Sequence, residues 1–370
     1  MESAAKEYAL FIKDQGWDVH VITNKYPRHL SGQDYLDGIK IERFYFFHSP
    51  LNYIRNRRLD LFFAWLFLKP VTLFKLIIHF MQTRPDVVNL HFPDHQLFEC
   101  NLLKYLFRFK LVISLHGNEV ERMKKLRKSS LRYSFYHYLF KSAICITGCS
   151  NYLLNEFCLS FSQLNQKKYL PVHNGVNSKF GEQKLIVQKN DYILTAARFV
   201  PKKGLDLLIK ATRQFTGNHL LIAGGDENDL LDLGLKQREG MILLGPLSQE
   251  ELAKHLADTN LTVIPSRKEP YGIIVAEALC CGSPVVATNV GGIQEVISLA
   301  RKKLDTIEKE IFERWVMLVE PNVESIRNGI DVVLNNNGSI KEYMSLVPKF
   351  REQFFWEKRL EKYRSILNSY

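Results

Sequence analysis

Apolar residues in this chain gather into short unbroken runs, and the segments between them repeat their apolar positions every three or four residues. The runs predict buried strands and the spacers predict helices. Residues 2–15 set Ala5, Tyr8, Ala9 and Ile12 on one helical face, and Gly16 closes that helix. Strands are predicted at 17–23, 38–44, 85–91, 110–116, 143–147 and 168–172; the third and fourth end on His91 and His116. His173 to Asn177 reads as a turn, and the polar stretch 178–190 as an interdomain boundary. Further strands follow at 192–196, 219–223, 241–245, 261–265, 284–288 and 316–319. Helices are predicted at 205–215, 250–258, 273–281 and 323–334, with a helical tail at 347–369. This alternation predicts an α/β chain with two doubly wound, Rossmann-like domains, residues 1–180 and 181–350.

Two segments leave the pattern open. Residues 61–80 are almost continuously apolar, interrupted by Lys69, Pro70 and Lys75. No charge-free run reaches the ~20 residues of a membrane span. A buried helix pair or an interfacial element meeting anionic lipid both fit. Residues 122–141 read as one basic helix, with Lys or Arg at 122, 124, 125, 127, 128 and 132. Met123, Leu126, Leu131, Phe135 and Tyr138 lie loosely opposite. That helix is either solvated or directed at a membrane surface or an acidic ligand. Nucleic acid is not expected, because no binding motif or basic β-platform accompanies the charge.

The charge sharpens this. Of the net +11, all resides in the first half: residues 1–180 hold 25 Lys+Arg against 14 Asp+Glu, and residues 181–370 hold 25 of each. Composition is otherwise ordinary for a globular protein, 46% hydrophobic and 24% charged. The six cysteines form no CxxC pair and are expected to be reduced core residues of a cytosolic protein. Met1 precedes a polar segment with no apolar core, so no signal peptide is expected.

Candidate chemistry concentrates in residues 260–296, a strand, a polar loop, a helix and a second strand. Glu269 lies in the loop and Glu277 lies eight residues later on the helix. Between them, Gly272, Ile273 and Ile274 offer free N–H groups at a positive helix end, an anion site. Polyol, phosphate and second polyol in that order describe a nucleotide-diphosphate sugar. Residues 197–204 add cations at Arg198 and Lys203 in the loop after another strand, suited to a diphosphate. His91 and His95 have the i,i+4 spacing of a metal pair, but Pro93 breaks the helix that spacing needs, so lining an acceptor site or a structural role is preferred. No Asp-x-Asp metal motif occurs.

Glu269 to Glu277, with the continuation to Val296, resembles the signature of the retaining, nucleotide-sugar-dependent glycosyltransferases of the GT-B fold, the large "group one" family. Further matches lie at 198–204, 223–229, 245–252, 174–177 and 319–330, in the family's order. The resemblance implies two Rossmann-like domains facing each other across a cleft, nucleotide mainly on the second and acceptor mainly on the first. It implies that the last helix, within 351–370, packs back on the first domain. Arg198 and Lys203 would neutralise the leaving diphosphate, Glu269 would bind donor-sugar hydroxyls, Gly272, Ile273 and Ile274 would hold phosphate and sugar, and Glu277 would take the ribose. Gly224 and Asn174, within two of the matching segments, would also line the donor site. His116 occupies the place of the family's histidine near the sugar C6 and the acceptor. No cofactor or metal is expected beyond the nucleotide-diphosphate sugar. Two cations and a helix end can stabilise the leaving charge by themselves.

One departure stands out. Family members open with a strand and a glycine-rich loop before the first helix, whereas this sequence begins at what resembles that helix. A first domain lacking its first strand and glycine-rich loop is therefore expected, with neighbouring strands short of a partner. The reading is a hexosyl- or N-acetylhexosaminyl-transferase acting on a surface glycan or lipid-linked acceptor, cytoplasmic and peripheral at an anionic inner membrane face. The alternatives are an impaired remnant that binds sugar nucleotide or membrane, and a same-fold epimerase or phosphorylase. The Glu269/Glu277 pair with the basic loop speaks against the epimerase and phosphorylase.

Overall fold

The computed structural model describes residues 2–25, 29–47, 53–54, 56–162, 164, 169–215 and 219–368, with the side chains of 2, 3 and 366–368 excepted. The chain forms two compact units. One comprises Met1–Cys149, Leu153–Val172 and Lys362–Tyr370; the other comprises Ser150–Tyr152 and His173–Glu361.

The second unit holds a six-stranded parallel sheet whose strands lie side by side in the order 241–245, 219–223, 190–196, 259–264, 285–288 and 316–319. Its strands are β8 (Asn190–Ala196), β9 (His219–Ala223), β10 (Met241–Gly245), β11 (Thr259–Ile264), β12 (Val285–Thr288) and β13 (Val316–Val319). Their near-continuous apolar character follows from burial on both faces. Ile193, Leu220, Ile222, Leu261, Val263 and Val286 meet Leu205, Leu208, Ile326 and Ile330 from the Leu205–Ala211 and Val323–Leu334 helices in one core. Each such side chain is worth ~1.5–3 kcal/mol on full burial. Capping boxes start the helices at Asp226, Ser248 and Asp305, three sites of the Ser/Asp-x-x-acid pattern.

The first unit carries two separate sheets. β1 (His20–Asn24), β3 (Ile39–Phe44) and β2 (Gln33–Leu36) form one, in the order β1-β3-β2, with β2 antiparallel. β4 (Val87–His91), β5 (Lys110–Leu115), β6 (Cys145–Gly148) and β7 (Tyr169–Pro171) form a parallel second. Among the described residues no ladder joins β1 to β4. The Glu2–Asp14 helix packs Tyr8 edge-on to His91 and to Tyr363 of the last helix.

Four expectations need correction. The units divide between Val172 and His173, ahead of 178–190. The reason is packing: Val176 bridges to Phe355, Gly175 lies against Trp356, and Phe180 is fully buried and accepts from Cys281 Sγ. The tail is three helices, Ile340–Ser345, Val347–Phe354 and Trp356–Asn368, broken where Phe355 turns extended to meet Val176. Only residues from Lys362 on cluster with the first unit. The basic segment is two helices, Asn118–Lys124 and Leu131–Ser142, because Ser130 caps the second by accepting from Tyr133 N. Residues 59–83 are one helix rather than a buried pair; it runs through Pro70 and leaves most of its apolar side chains exposed. All six cysteines are free, and Cys145, Cys149, Cys280 and Cys281 are buried.

Candidate functional site

In the second unit, β8 and β11 are neighbours from which the chain progresses outward in opposite directions. Loops leaving such strands frame the topological switch point where open α/β sheets take ligands. Here those two loops are stitched together. The Arg267 guanidinium forks onto Asp206, with both contacts at 2.7 Å, and holds that carboxyl below its usual range. Arg267 N donates to Lys202 O at 2.8 Å, and an Arg267 Nη1–H donates to Pro201 O at 3.0 Å. With the loops in register, Lys203 Nζ forms an ion pair with Glu269 Oε2, to which Ser266 Oγ also donates at 3.3 Å.

Glycines make this approach possible. Gly204 has φ +67°, and a Cβ there would stand 2.0 Å from Pro265 O. On the opposite flank Gly291 has φ +55°, and its Cβ would stand 2.1 Å from Glu269 O, while Gly292 N donates to that oxygen at 2.9 Å. The Glu269 loop is thus held between two backbone surfaces that leave no room for side chains.

The Ile273–Cys280 helix follows directly. Gly272 caps it in the left-handed region at φ 91° with no side-chain cap; Val275 N donates back to Gly272 O at 3.0 Å, and the N–H groups of Ile273 and Ile274 have no partner among the described residues. Ile273 and Ile274 there are partly exposed. Glu277, one turn further along, is partly buried, and loss of hydration pushes its carboxyl up to about 7. At the end of β9, Gly224 sits at φ +109° against Ala197 O, where a Cβ would come within 2.4 Å, so this loop packs on the root of the Arg198 loop. Arg198 is exposed. Asn174 belongs to this unit, and its buried Oδ1 has no hydrogen-bond partner among the described residues. Such an atom is costly to leave unpaired and marks a place for a donor group. The unit therefore gathers, around one switch point, an exposed cation, a cation–carboxylate pair, a helix N-terminus and a second carboxylate with raised affinity for a proton. Among the described residues no group of three or more His, Cys, Asp or Glu is placed to hold a metal ion.

His116 belongs to the first unit and follows β5. Its N–H, with that of Gly117, donates to Glu119 Oε1. The ring stacks on Phe92 at 4.0 Å and meets His91 Nδ1 through Nε2 at 3.0 Å. Asn89 Oδ1 accepts from Ser114 Oγ at 3.0 Å, which turns Asn89 Nδ2 toward His91 Nε2 at 2.7 Å. The network assigns the tautomers: His91 carries its proton on Nδ1 and gives it to His116 Nε2, so the proton of His116 is on Nδ1. Burial pushes His91 down to about 4, and burial together with the neighbouring His91 pushes His116 well down, so both rings are neutral near neutral pH. His95 instead approaches Asp94 at 3.7 Å.

The family Glycosyltransferase Family 4 matches residues 1–180, and Glycosyl transferases group 1 matches residues 177–352. An uncharacterised glycosyltransferase of Methanocaldococcus jannaschii is 30% identical over 284 residues, 70% of this chain and 68% of its own length. The chain belongs to the group 1 glycosyltransferases. Sucrose-phosphate synthase of Thermosynechococcus elongatus superposes on this glycosyltransferase with a TM-score of 0.75 at 18% identity, covering 99% of this chain and 93% of that one. HepE of Anabaena, solved with UDP and glucose, gives 0.66 at 17%, covering 90% and 87%. The fold is GT-B.

Of the residues singled out from the sequence, the second unit of the glycosyltransferase brings Lys203, Glu269 and Gly272 together, with Arg198, Gly224, Ile273, Ile274 and Glu277 on the loops and helix around the same strand ends. His116 lies in the other unit, as do His91 and His95. Sequence reading missed the Arg267–Asp206 fork, the Gly291 clamp and the part His91 plays for His116. A glycine pair such as Gly291-Gly292 does not show in the sequence which backbone it will meet, and a loop arginine 61 residues from its partner carries no local signal.

Proposed function

We propose that this glycosyltransferase moves a hexosyl or N-acetylhexosaminyl group, with retention of anomeric configuration, from a nucleotide-diphosphate sugar to a lipid-linked or surface-glycan acceptor. The observation that carries the donor half is the meeting of Lys203 and Glu269 beside a free helix N-terminus at the switch point of the second unit. Glu269 accepts from donor-sugar hydroxyls, and Glu277 accepts from the ribose. Arg198, Lys203 and the Gly272–Ile274 backbone meet the diphosphate, with Gly224 and Asn174 completing the wall. HepE, a relative in fold, was solved with UDP and glucose, which is consistent with such a donor.

In the reaction the bond from the anomeric carbon to the diphosphate oxygen breaks, and the acceptor hydroxyl bonds to that carbon on the same face. Its proton passes to the departing phosphate oxygen. Charge growing on that oxygen is met by the two side-chain cations and the positive helix end, so the reading assigns no step to a metal or cofactor. His116, whose ring is neutral, is assigned the part beside the sugar and the acceptor. The excess charge of residues 1–180 favours an acceptor at an anionic, cytoplasmic membrane face, with the enzyme peripheral to it.

A panel of UDP-, GDP- and ADP-sugars, scored for donor hydrolysis and for thermal shift, tests this. Glu269→Ala should abolish turnover and Arg198→Ala should weaken donor binding. Wild-type behaviour in both would show the site to be wrong, and binding without turnover would make the chain a donor-binding protein.

A further inference from the structure

The Leu59–Thr83 helix turns the wrong side to water. Phe63, Phe67, Val71, Phe74, Ile78 and Met81 recur every three or four residues, and all are exposed. Phe67 is 70% and Phe74 65% accessible, and only 11% of the helix's most apolar 18-residue stretch is buried. At 1.5 Å per residue the stripe is about 27 Å long. With aromatic side chains offering ~150–250 Å² each, the three phenylalanines alone expose roughly 280–470 Å². That reaches the size of the largest patch on an ordinary monomer before Leu66, Leu68, Val71, Ile78 and Met81 are added.

The opposite face is fastened to the first unit. Thr72, Leu76, His79 and Phe80 are buried. His79 Nδ1 meets Glu42 Oε2 at 2.7 Å, and Phe80 packs on Phe107 and Phe109. Lys69 forms an ion pair with buried Glu99. A helix bound along one side to a folded unit, with an ion pair at mid-length, cannot be surrounded by lipid, so its length does not make it a span.

The patch continues sideways into charge. Lys69 Nζ lies over the Phe98 ring, Phe98 meets Phe135 edge-on, and Phe135 shares the Leu131–Ser142 helix with exposed Leu131 and Tyr138. The turn before that helix carries exposed Lys125, Arg127 and Lys128, none in an ion pair among the described residues. Lys75, on the long helix itself, is also exposed. A second copy of the chain would present the same positive first half and be repelled; an anionic lipid surface answers both the apolar stripe and the charge.

We propose that the Leu59–Thr83 helix is a monotopic anchor: it lies flat on an anionic bilayer, its phenylalanine stripe among the acyl chains and Lys75, Lys125, Arg127 and Lys128 at the phosphates. It builds on the reading of a membrane-borne acceptor and gives that membrane a specific contact, yet it can be tested apart from transfer.

Flotation of the full chain with vesicles of phosphatidylcholine, with and without about one third phosphatidylglycerol, is the test. Wild type should float with the anionic vesicles and be partly released by salt. Phe67→Glu/Phe74→Glu should lower the affinity about tenfold or more, with its melting temperature and donor hydrolysis unchanged, since both positions are exposed. Lys125→Glu/Lys128→Glu should lower it only on anionic vesicles. Tryptophans placed at Phe67 and at Ile78 should be quenched equally by lipids brominated at one depth; unequal quenching means a tilted or crossing helix and overturns the flat anchor. Unchanged flotation of the phenylalanine variant also overturns it. So does a lipid-free dimer that this variant abolishes while wild type ignores vesicles, which would make the stripe a self-association face. Failure of the wild type to float on anionic vesicles, with turnover retained, removes this inference alone, and flotation of the wild type without turnover on any sugar nucleotide removes the proposed function alone.

Discussion

Glu277→Gln should make the ligand-free protein more stable, and the gain should depend on pH. The carboxyl is pushed from 4.5 to about 7 by desolvation alone. At about 1.36 kcal/mol per unit this corresponds to about 3 kcal/mol of penalty on the charged form. Partial exposure and local relaxation reduce that to about 1–3 kcal/mol. The sign follows from which state holds the proton. A carboxyl with a raised folded pKa favours the protonated fold, so its contribution is full below 4.5 and is lost as pH rises from 4.5 through about 7. Glutamine keeps the shape and carries no charge at any pH. Wild type and Glu277→Gln should therefore nearly coincide at about pH 5 and separate by about 1–3 kcal/mol at about pH 8.5, the variant being the more stable. Urea denaturation at a series of pH values measures the gap, and hydrogen exchange in the Ile273–Cys280 helix localises it. Donor binding should move the other way, strengthening in wild type as pH rises through about 7 and staying weak and flat in the variant. A stability gap that is the same at both pH values would refute the reasoning, because the carboxylate would then not be the desolvated group.

Two further outcomes are expected. Gly291→Ala forces a left-handed alanine whose Cβ meets Glu269 O at 2.1 Å, so the protein should lose about 1–3 kcal/mol or more in thermal unfolding and the Glu269 loop should shift, weakening donor binding. His91, lowered to about 4 from 6.5, contributes stability that is full above 6.5 and lost as pH falls toward 4; His91→Gln should flatten that acid limb, and the nitrogen NMR shifts of His116 should show its proton no longer confined to Nδ1.

The parallel strands of the second unit were legible because their apolar runs are short and bounded by glycine and proline, as at Ile264–Pro265 and Gly282–Pro284. The residues proposed for the donor site drew attention for a related reason: a carboxylate on each side of a glycine-opened helix is a local pattern. What escaped was non-local or context-dependent. The helical tail hides its break at Phe355, since only the bridge to Val176, 179 residues away, makes an extended residue favourable there. β2 was missed because all four of its residues are exposed and carry no apolar alternation. Residues 61–80 could not reveal their exposure, because an all-apolar helix looks the same against protein as against lipid.

The glycine clamp on the Glu269 loop has an evolutionary corollary. Gly204 on one side and Gly291 and Gly292 on the other hold the loop through main-chain atoms, and the Arg267 fork fastens its start, so its path depends little on the side chains at 268 and 270. On the proposed reading of Glu269 as a donor-sugar acceptor, exchanging the neighbouring, partly exposed Lys268 or Pro270 should alter donor preference while Glu269 stays where it is. Donor preference in such a frame can drift one side chain at a time, without the backbone having to be rebuilt.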